Sequence, residues 1–257
     1  MKQLLTLIIG LLFTSNVYAE CSGRGISVFP RGKEINQNSI FIINGFAESQ
    51  KIILKLNKTH NVYLKSGQTK IKLQVTETHV GQFSVTQAVL KPETKLEMGL
   101  EYELHIDNLP KYESFNRYNE KTQKKEPITY KVVGEEDFEK PTLSSEPKEL
   151  EKRLAYFGCG PAMHVVFSNP AKDKSEILIK TTVKNLKTNK ETTYIIEPDG
   201  EKISVGHGMC SGAFTFGNGN DYEIEFAFMD SSGNTTTWAG NRIKFTKPTK
   251  ETNYDEE

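Results

Sequence analysis

The chain has 257 residues, carries 33 basic against 33 acidic side chains, and has 36% hydrophobic residues. Its formal charge is zero, and the two signs are interspersed. That balance argues against a nucleic-acid partner, which needs a basic stripe to meet the phosphates. The length points to two domains.

The N-terminus reads "MKQLLTLIIGLLFTSNVYA", with a basic start at Lys2, an apolar run from Leu4 to Phe13, and a small-residue ending at Val17-Tyr18-Ala19. This pattern predicts a secretory signal peptide over residues 1–19, cleaved after Ala19. The apolar run is about half the length a membrane-crossing helix needs. The mature chain is therefore expected to be exported, periplasmic or secreted, and not membrane-spanning. Cys21 follows Glu20. A lipobox requires a small residue there, so no lipid anchor is expected.

Further along, strand signals dominate. "SIFIING" is apolar on both faces and predicts a central strand. "KIKLQV" alternates, with Ile71, Leu73 and Val75 on one face, and "YELHI" repeats this with Tyr102, Leu104 and Ile106. After them come "EILIKTTV" (Ile177, Ile179, Val183) and "YEIEFAF" (Tyr222, Ile224, Phe226, Phe228). Period-two alternation buries one face of an antiparallel sheet and wets the other. "EPKELEKRLAYF" has helix-forming residues, but Leu150, Leu154 and Tyr156 favour a strand. Turn signals recur at Pro30-Arg31-Gly32, Asn44-Gly45, Ser66-Gly67, Asn108-Leu109-Pro110, Asn169-Pro170, Pro198-Asp199-Gly200 and Asn218-Gly219. Their spacing predicts an all-β chain of two antiparallel β-sandwiches in tandem. The first is expected over 20–134, a charged linker with two prolines over 135–148, the second over 149–248, and a polar tail over 249–257.

"FAFMDSSGNTTTW" resembles the end of bacterial immunoglobulin-like and fibronectin-type-III-like repeats, where an aromatic strand enters an Asp-x-x-Gly-Asn turn. "LKPETKLEMGLEYELHI" is similar to a second pattern of such repeats, a glycine before a Tyr-x-Leu-x-Ile strand. The resemblance implies immunoglobulin-like domains in an extracytoplasmic setting, and no activity.

No nucleophile elbow, zinc-protease helix motif or phosphate loop occurs in the sequence. The acidic turns "PDG", "NGND" and "DSSGN" are explained by turn geometry. The chain is therefore expected to be non-enzymatic and to need no cofactor.

The segments "YFGCGPAMHVVF" and "VGHGMCSGAF" each set a cysteine beside glycine. In an oxidising compartment two cysteines of one small domain pair, so a Cys159–Cys210 disulfide is expected. A competing reading is copper held by Met163, His164, His207 and Met209, since methionine and histidine are suitable ligands where thiols oxidise. Alternation would send Met163 and His164 to opposite faces. The long segment "KYESFNRYNEKTQKKEP" places Tyr112, Phe115 and Tyr118 among polar residues and is a candidate recognition loop. Trp238 is read as core.

Together these features predict an exported binding protein, or a structural or accessory part of an envelope assembly, with a protein or glycan partner. The alternatives are a periplasmic strand-donating chaperone, which would work by β-augmentation, and a copper-binding periplasmic protein.

Overall fold

The computed structural model describes residues 21–217 and 219–252. The expected signal peptide over 1–19, Asn218 and the last five residues lie outside the described residues.

The first half of the chain forms β1 (Arg24–Phe29), β2 (Glu34–Asn36), β3 (Phe41–Ala47), a short helix α1 (Gln50–Ile53), β4 (Val62–Ser66), β5 (Thr69–Val80), β6 (Val85–Pro92), β7 (Glu101–Ile106), β8 (Arg117–Asn119), β9 (Lys124–Glu126) and β10 (Thr129–Gly134). The main strands run in the order β1-β3-β6-β5-β4-β7-β10-β2. The long strand β5 belongs to both sides: residues 69–72 pair with β4, and residues 73–80 pair with β6. A register shift between Val75 and Glu77 marks the bend, as expected where a strand changes sheets. Folding about β5 brings the alternating side chains together. Ile71, Leu73, Leu64, Tyr102, Leu104, Phe41 and Ile43 bury into one core.

The second half forms β11 (Thr142–Leu143), β12 (Glu149–Phe157), β13 (Gly160–Ser168), β14 (Ala171–Lys172), β15 (Leu178–Asn185), β16 (Glu191–Ile196), β17 (Lys202–His207), β18 (Asp221–Met229), β19 (Thr235–Thr237) and β20 (Ile243–Thr246). The sheet β12-β13-β17 faces the sheet β16-β15-β18, whose last strand also pairs with β19 and β20. Between them lies an aromatic core. Phe167 meets Phe226 edge-on at 5.4 Å, and Tyr222 stacks on Phe245 at 5.4 Å. Trp238 packs partly buried against this core. Of "EPKELEKRLAYF", the part from Glu149 to Phe157 is strand, as β12.

One expectation needs correction. Asn44-Gly45 is not a turn but the middle of β3. Its glycine has another cause: a Cβ on Gly45 would sit 2.7 Å from the Ser49 carbonyl oxygen, because α1 crosses the strand there. That four-residue helix was not anticipated. It is too short for a helical period to show in sequence. The expected linker contains β11, which pairs with β14, and the described part of the tail is held where Thr252 donates its N–H to the Leu154 carbonyl at 2.9 Å.

A third apolar cluster joins the two halves. Phe29, Ile40, Ile42 and Val89 meet Leu178, Ile195 and Met229, all buried. This explains why "SIFIING" is apolar on both faces: Phe41 and Ile43 enter the first core, while Ile40 and Ile42 enter the seam.

Candidate functional site

The seam is framed by polar contacts from strands of both halves. Asn44 and Gln87 are cross-strand partners on β3 and β6, and both side chains reach the second half. The Gln87 amide donates to the Ile195 carbonyl at 3.1 Å and accepts from the Ile195 N–H at 2.6 Å. Gln87 also donates to Asn44 Oδ1 at 3.0 Å, and the Tyr194 hydroxyl donates to the same oxygen at 3.3 Å. Burial first, opposed by the Gln87 hydrogen bond, pushes the Tyr194 phenol well above its usual range. At one rim Arg31 grips Glu197 through two bonds, of 2.7 and 2.9 Å. At another, Phe83 and Gly212 exchange backbone bonds of 3.1 and 2.8 Å.

Beside this junction lies an open cleft of about 710 Å³. One wall is the end of β5 and its turn, Thr78 to Gln82. The other comes from β16 and the turn before it, with Thr188, Lys190, Glu191, Thr192 and Thr193, and Val183, Thr215 and Tyr222 also line the cleft. Gln82 links the walls: its amide donates to Thr192 Oγ1 at 2.7 Å and accepts from the Thr215 N–H at 2.6 Å. His79, at the edge, stands 2.9 Å from Glu77, which also meets Lys180 of the second half at 2.6 Å. Burial chiefly lowers the His79 pKa, against the pull of Glu77. For Glu77 burial opposes ionisation, but Lys180 and His79 outweigh it and hold the carboxyl below its usual range. The cleft can thus offer hydroxyl and amide groups between walls fixed by a packed seam. Sequence reasoning did not find it, because its lining residues come from segments far apart in the chain.

The cysteines depart from expectation. The bridge joins Cys210 to Cys21, with the Cα atoms 5.5 Å apart across 189 residues. It is not the expected Cys159–Cys210 pair. Cys159 sits at the β12–β13 hairpin tip, and its sulfur lies within 4.8 Å of both bridged sulfurs. All three cysteines converge because the lead-in to β1 reaches the same end of the second half. Position in sequence had placed Cys21 with the first half alone.

The candidate copper ligands sit on paired strands. Met163 is opposite His207, and His164 is opposite Gly206. Met163 packs against the second core. The buried His207 ring lies edge-on to Phe83 at 5.7 Å, and its Nδ1 is 2.9 Å from the Gly208 carbonyl. Burial first, then His207 and Arg153, lowers the His164 pKa to about 4. Met209 lies in the turn before Cys210. Gly206 has φ 152°, and a Cβ there would fall 1.9 Å from the Met163 carbonyl oxygen.

The candidate recognition loop divides. Tyr112 and Tyr118 are exposed, Tyr112 beneath the Arg24 guanidinium at 5.0 Å. Phe115 instead folds onto the first core. Tyr118 lies on the β8–β9 hairpin.

A further grouping was not anticipated. The carboxylates of Asp137, Asp173 and Asp230 lie within 4.8 Å of one another. Asp230, in the turn "DSSGN", accepts from the Ser232 and Asn234 N–H groups at 2.9 and 2.8 Å. Burial first raises its pKa, against those bonds.

No helix among the described residues is long and apolar enough to cross a membrane. No protein-family model and no curated protein matches the chain. Among solved structures it is similar to pullulanase type I from Bacillus subtilis complexed with maltose, with 12% identity and a TM-score of 0.26, over 88% of this chain and 25% of that one. It is also similar to the N-terminal part of the bacterial S-layer protein SbsC, with 12% identity and a TM-score of 0.26, over 88% and 43% of the two chains. The Yersinia pseudotuberculosis adhesin InvE gives 15% identity and a TM-score of 0.22, over 87% and 58%. The chain thus spans about a quarter of the pullulanase and less than half of the S-layer fragment. Likeness at this level carries no argument about what the chain does.

Proposed function

We propose that the chain is an exported, non-enzymatic binding protein of two immunoglobulin-like sandwiches docked as one body, with a glycan as ligand. The observation that carries this reading is the cleft at the junction. Ligand sites form preferentially where two packed units meet. Its exposed Thr78 and Thr188 hydroxyls can both donate and accept hydrogen bonds, which matches the hydroxyl groups of a sugar. The seam holds the walls at fixed separation, so little ordering accompanies binding. The Cys21–Cys210 bridge supports export, since structural disulfides persist in oxidising compartments.

A glycan array with the purified mature protein, followed by calorimetry on the best oligosaccharide, tests the reading. Thr78 and Thr188 are exposed on opposite walls. Thr78→Trp and Thr188→Trp should weaken binding at least about tenfold and leave the unfolding midpoint unchanged, because neither fills a core position. Retention of no glycan, or binding by both variants as tight as the parent's, would overturn it.

A further inference from the structure

The three sulfurs of Cys21, Cys159 and Cys210 lie together, each within 4.8 Å of the other two. Their surroundings place Cys159 and Cys210 on touching turns. Pairing of β13 with β17 sets Met163 against His207 and so brings the two strand ends together. Beyond those ends, the Cβ position of Gly160 is 3.9 Å from the Met209 carbonyl oxygen. The turn carrying Cys210 is closed by the Gly208 N–H donating to the Ser211 carbonyl at 2.8 Å. Cys21 arrives differently, at the start of a surface lead-in whose next residues, Ser22 to Arg24, are exposed.

We propose that Cys159 exchanges with the Cys21–Cys210 disulfide, so that the chain holds two alternative bridges. The Cys159 thiol gives its proton to solvent, and the thiolate attacks Cys210 Sγ. A Cys159–Cys210 bond forms, the Cys210–Cys21 bond breaks, and Cys21 leaves as a thiolate that takes a proton from solvent. One disulfide and one thiol are present before and after, so the step needs no oxidant or reductant. Attack falls on Cys210 because its turn lies against the Cys159 hairpin, and the leaving sulfur is the one on the surface lead-in.

The exchange changes what the bridge does. Cys21–Cys210 ties the start of the first half to the second across the junction. Cys159–Cys210 lies wholly within the second half and releases the N-terminal lead-in with a thiol on it. The docked halves then stay together through the seam and the polar contacts around it, without a covalent tie at that end.

The test uses the full mature chain, held without oxygen at pH 8, quenched in acid, alkylated and mapped without reduction. The expected result is two linked peptides, Cys21–Cys210 and Cys159–Cys210, the second growing with time and matched by alkylated Cys21. Cys159→Ser should show Cys21–Cys210 only. Cys21→Ser, purified under oxidising conditions, should show Cys159–Cys210. Cys21–Cys210 as the sole bridge at every time, with alkylation confined to Cys159, would overturn the proposal. A Cys21–Cys159 peptide in place of Cys159–Cys210 would overturn the assigned direction of attack.

Discussion

Gln87 brackets the backbone of Ile195, accepting from its N–H at 2.6 Å and donating to its carbonyl at 3.1 Å. Ile195 lies on β16, the edge strand of its sheet, so these are groups that a further strand would otherwise take. A side chain of the first half thus stands in for a neighbouring strand of the second. Open edges invite pairing with other chains, and covering one removes that hazard.

Gln87→Ala should therefore cost more than one ordinary hydrogen bond. It leaves a backbone donor and acceptor unpaired at a buried position, each costing about 1–3 kcal/mol. The expected loss is about 2–4 kcal/mol, read from the urea midpoint. A loss below about 0.5 kcal/mol would mean that water replaces the amide there.

The seam itself is apolar, and its removal should behave as cavity formation. Ile42→Ala and Leu178→Ala, both truncating buried seam residues, should each destabilise by about 2–5 kcal/mol. By contrast Glu197→Ala, which frees the half-exposed Arg31, should cost no more than about 1 kcal/mol. Equal effects from the two kinds of variant would contradict the division of stability described here.

Gly206→Ala should be among the most damaging small changes in the chain. The backbone dihedral disfavours any side chain, and the new methyl would collide with the Met163 carbonyl at a paired strand. A loss above about 3 kcal/mol is expected, given the combined strain and lost ladder bonds. A variant within about 1 kcal/mol of the parent would show that β17 relaxes without cost.

Acid should weaken the fold through His164. Its pKa of about 4, set first by burial, lies below the ordinary histidine value near 6.5. The native state then binds fewer protons than the unfolded chain. The contribution is complete above about pH 6.5 and is lost as pH falls toward 4. Allowing for solvent reaching a partly exposed ring, the loss should be on the order of 1 kcal/mol by pH 5. His79, also lowered chiefly by burial, acts with the same sign. Comparing parent and His164→Gln midpoints from pH 7 to pH 4 isolates the His164 part. An unchanged difference across that range would refute it.

Much of the strand content was legible because one-sided burial writes a period of two into the sequence. Ile71 and Leu73 on β5, and Tyr222 to Phe228 on β18, needed no more than that. The junction was partly written too. "SIFIING" shows an apolar second face, which in isolation says only that the strand is central, not what covers it. Gln87 carries no such signal, since one amide in "VTQAVL" looks like any solvated position. The bridge was misassigned because Cys21 was judged by its distance from other cysteines in sequence. Its partner came from a contact between halves, which local patterning does not encode. The cleft was hidden for the same reason, as Thr78 and Thr192 become neighbours only once the seam has formed.

The central claim is that the seam, the Gln87–Ile195 bonds and the Cys21–Cys210 bridge make the two halves one cooperative body. Differential scanning calorimetry of the mature oxidised protein tests this most directly. One transition with equal van't Hoff and calorimetric enthalpies is the predicted result. Two resolved transitions, each lost separately on truncating one core, would contradict it.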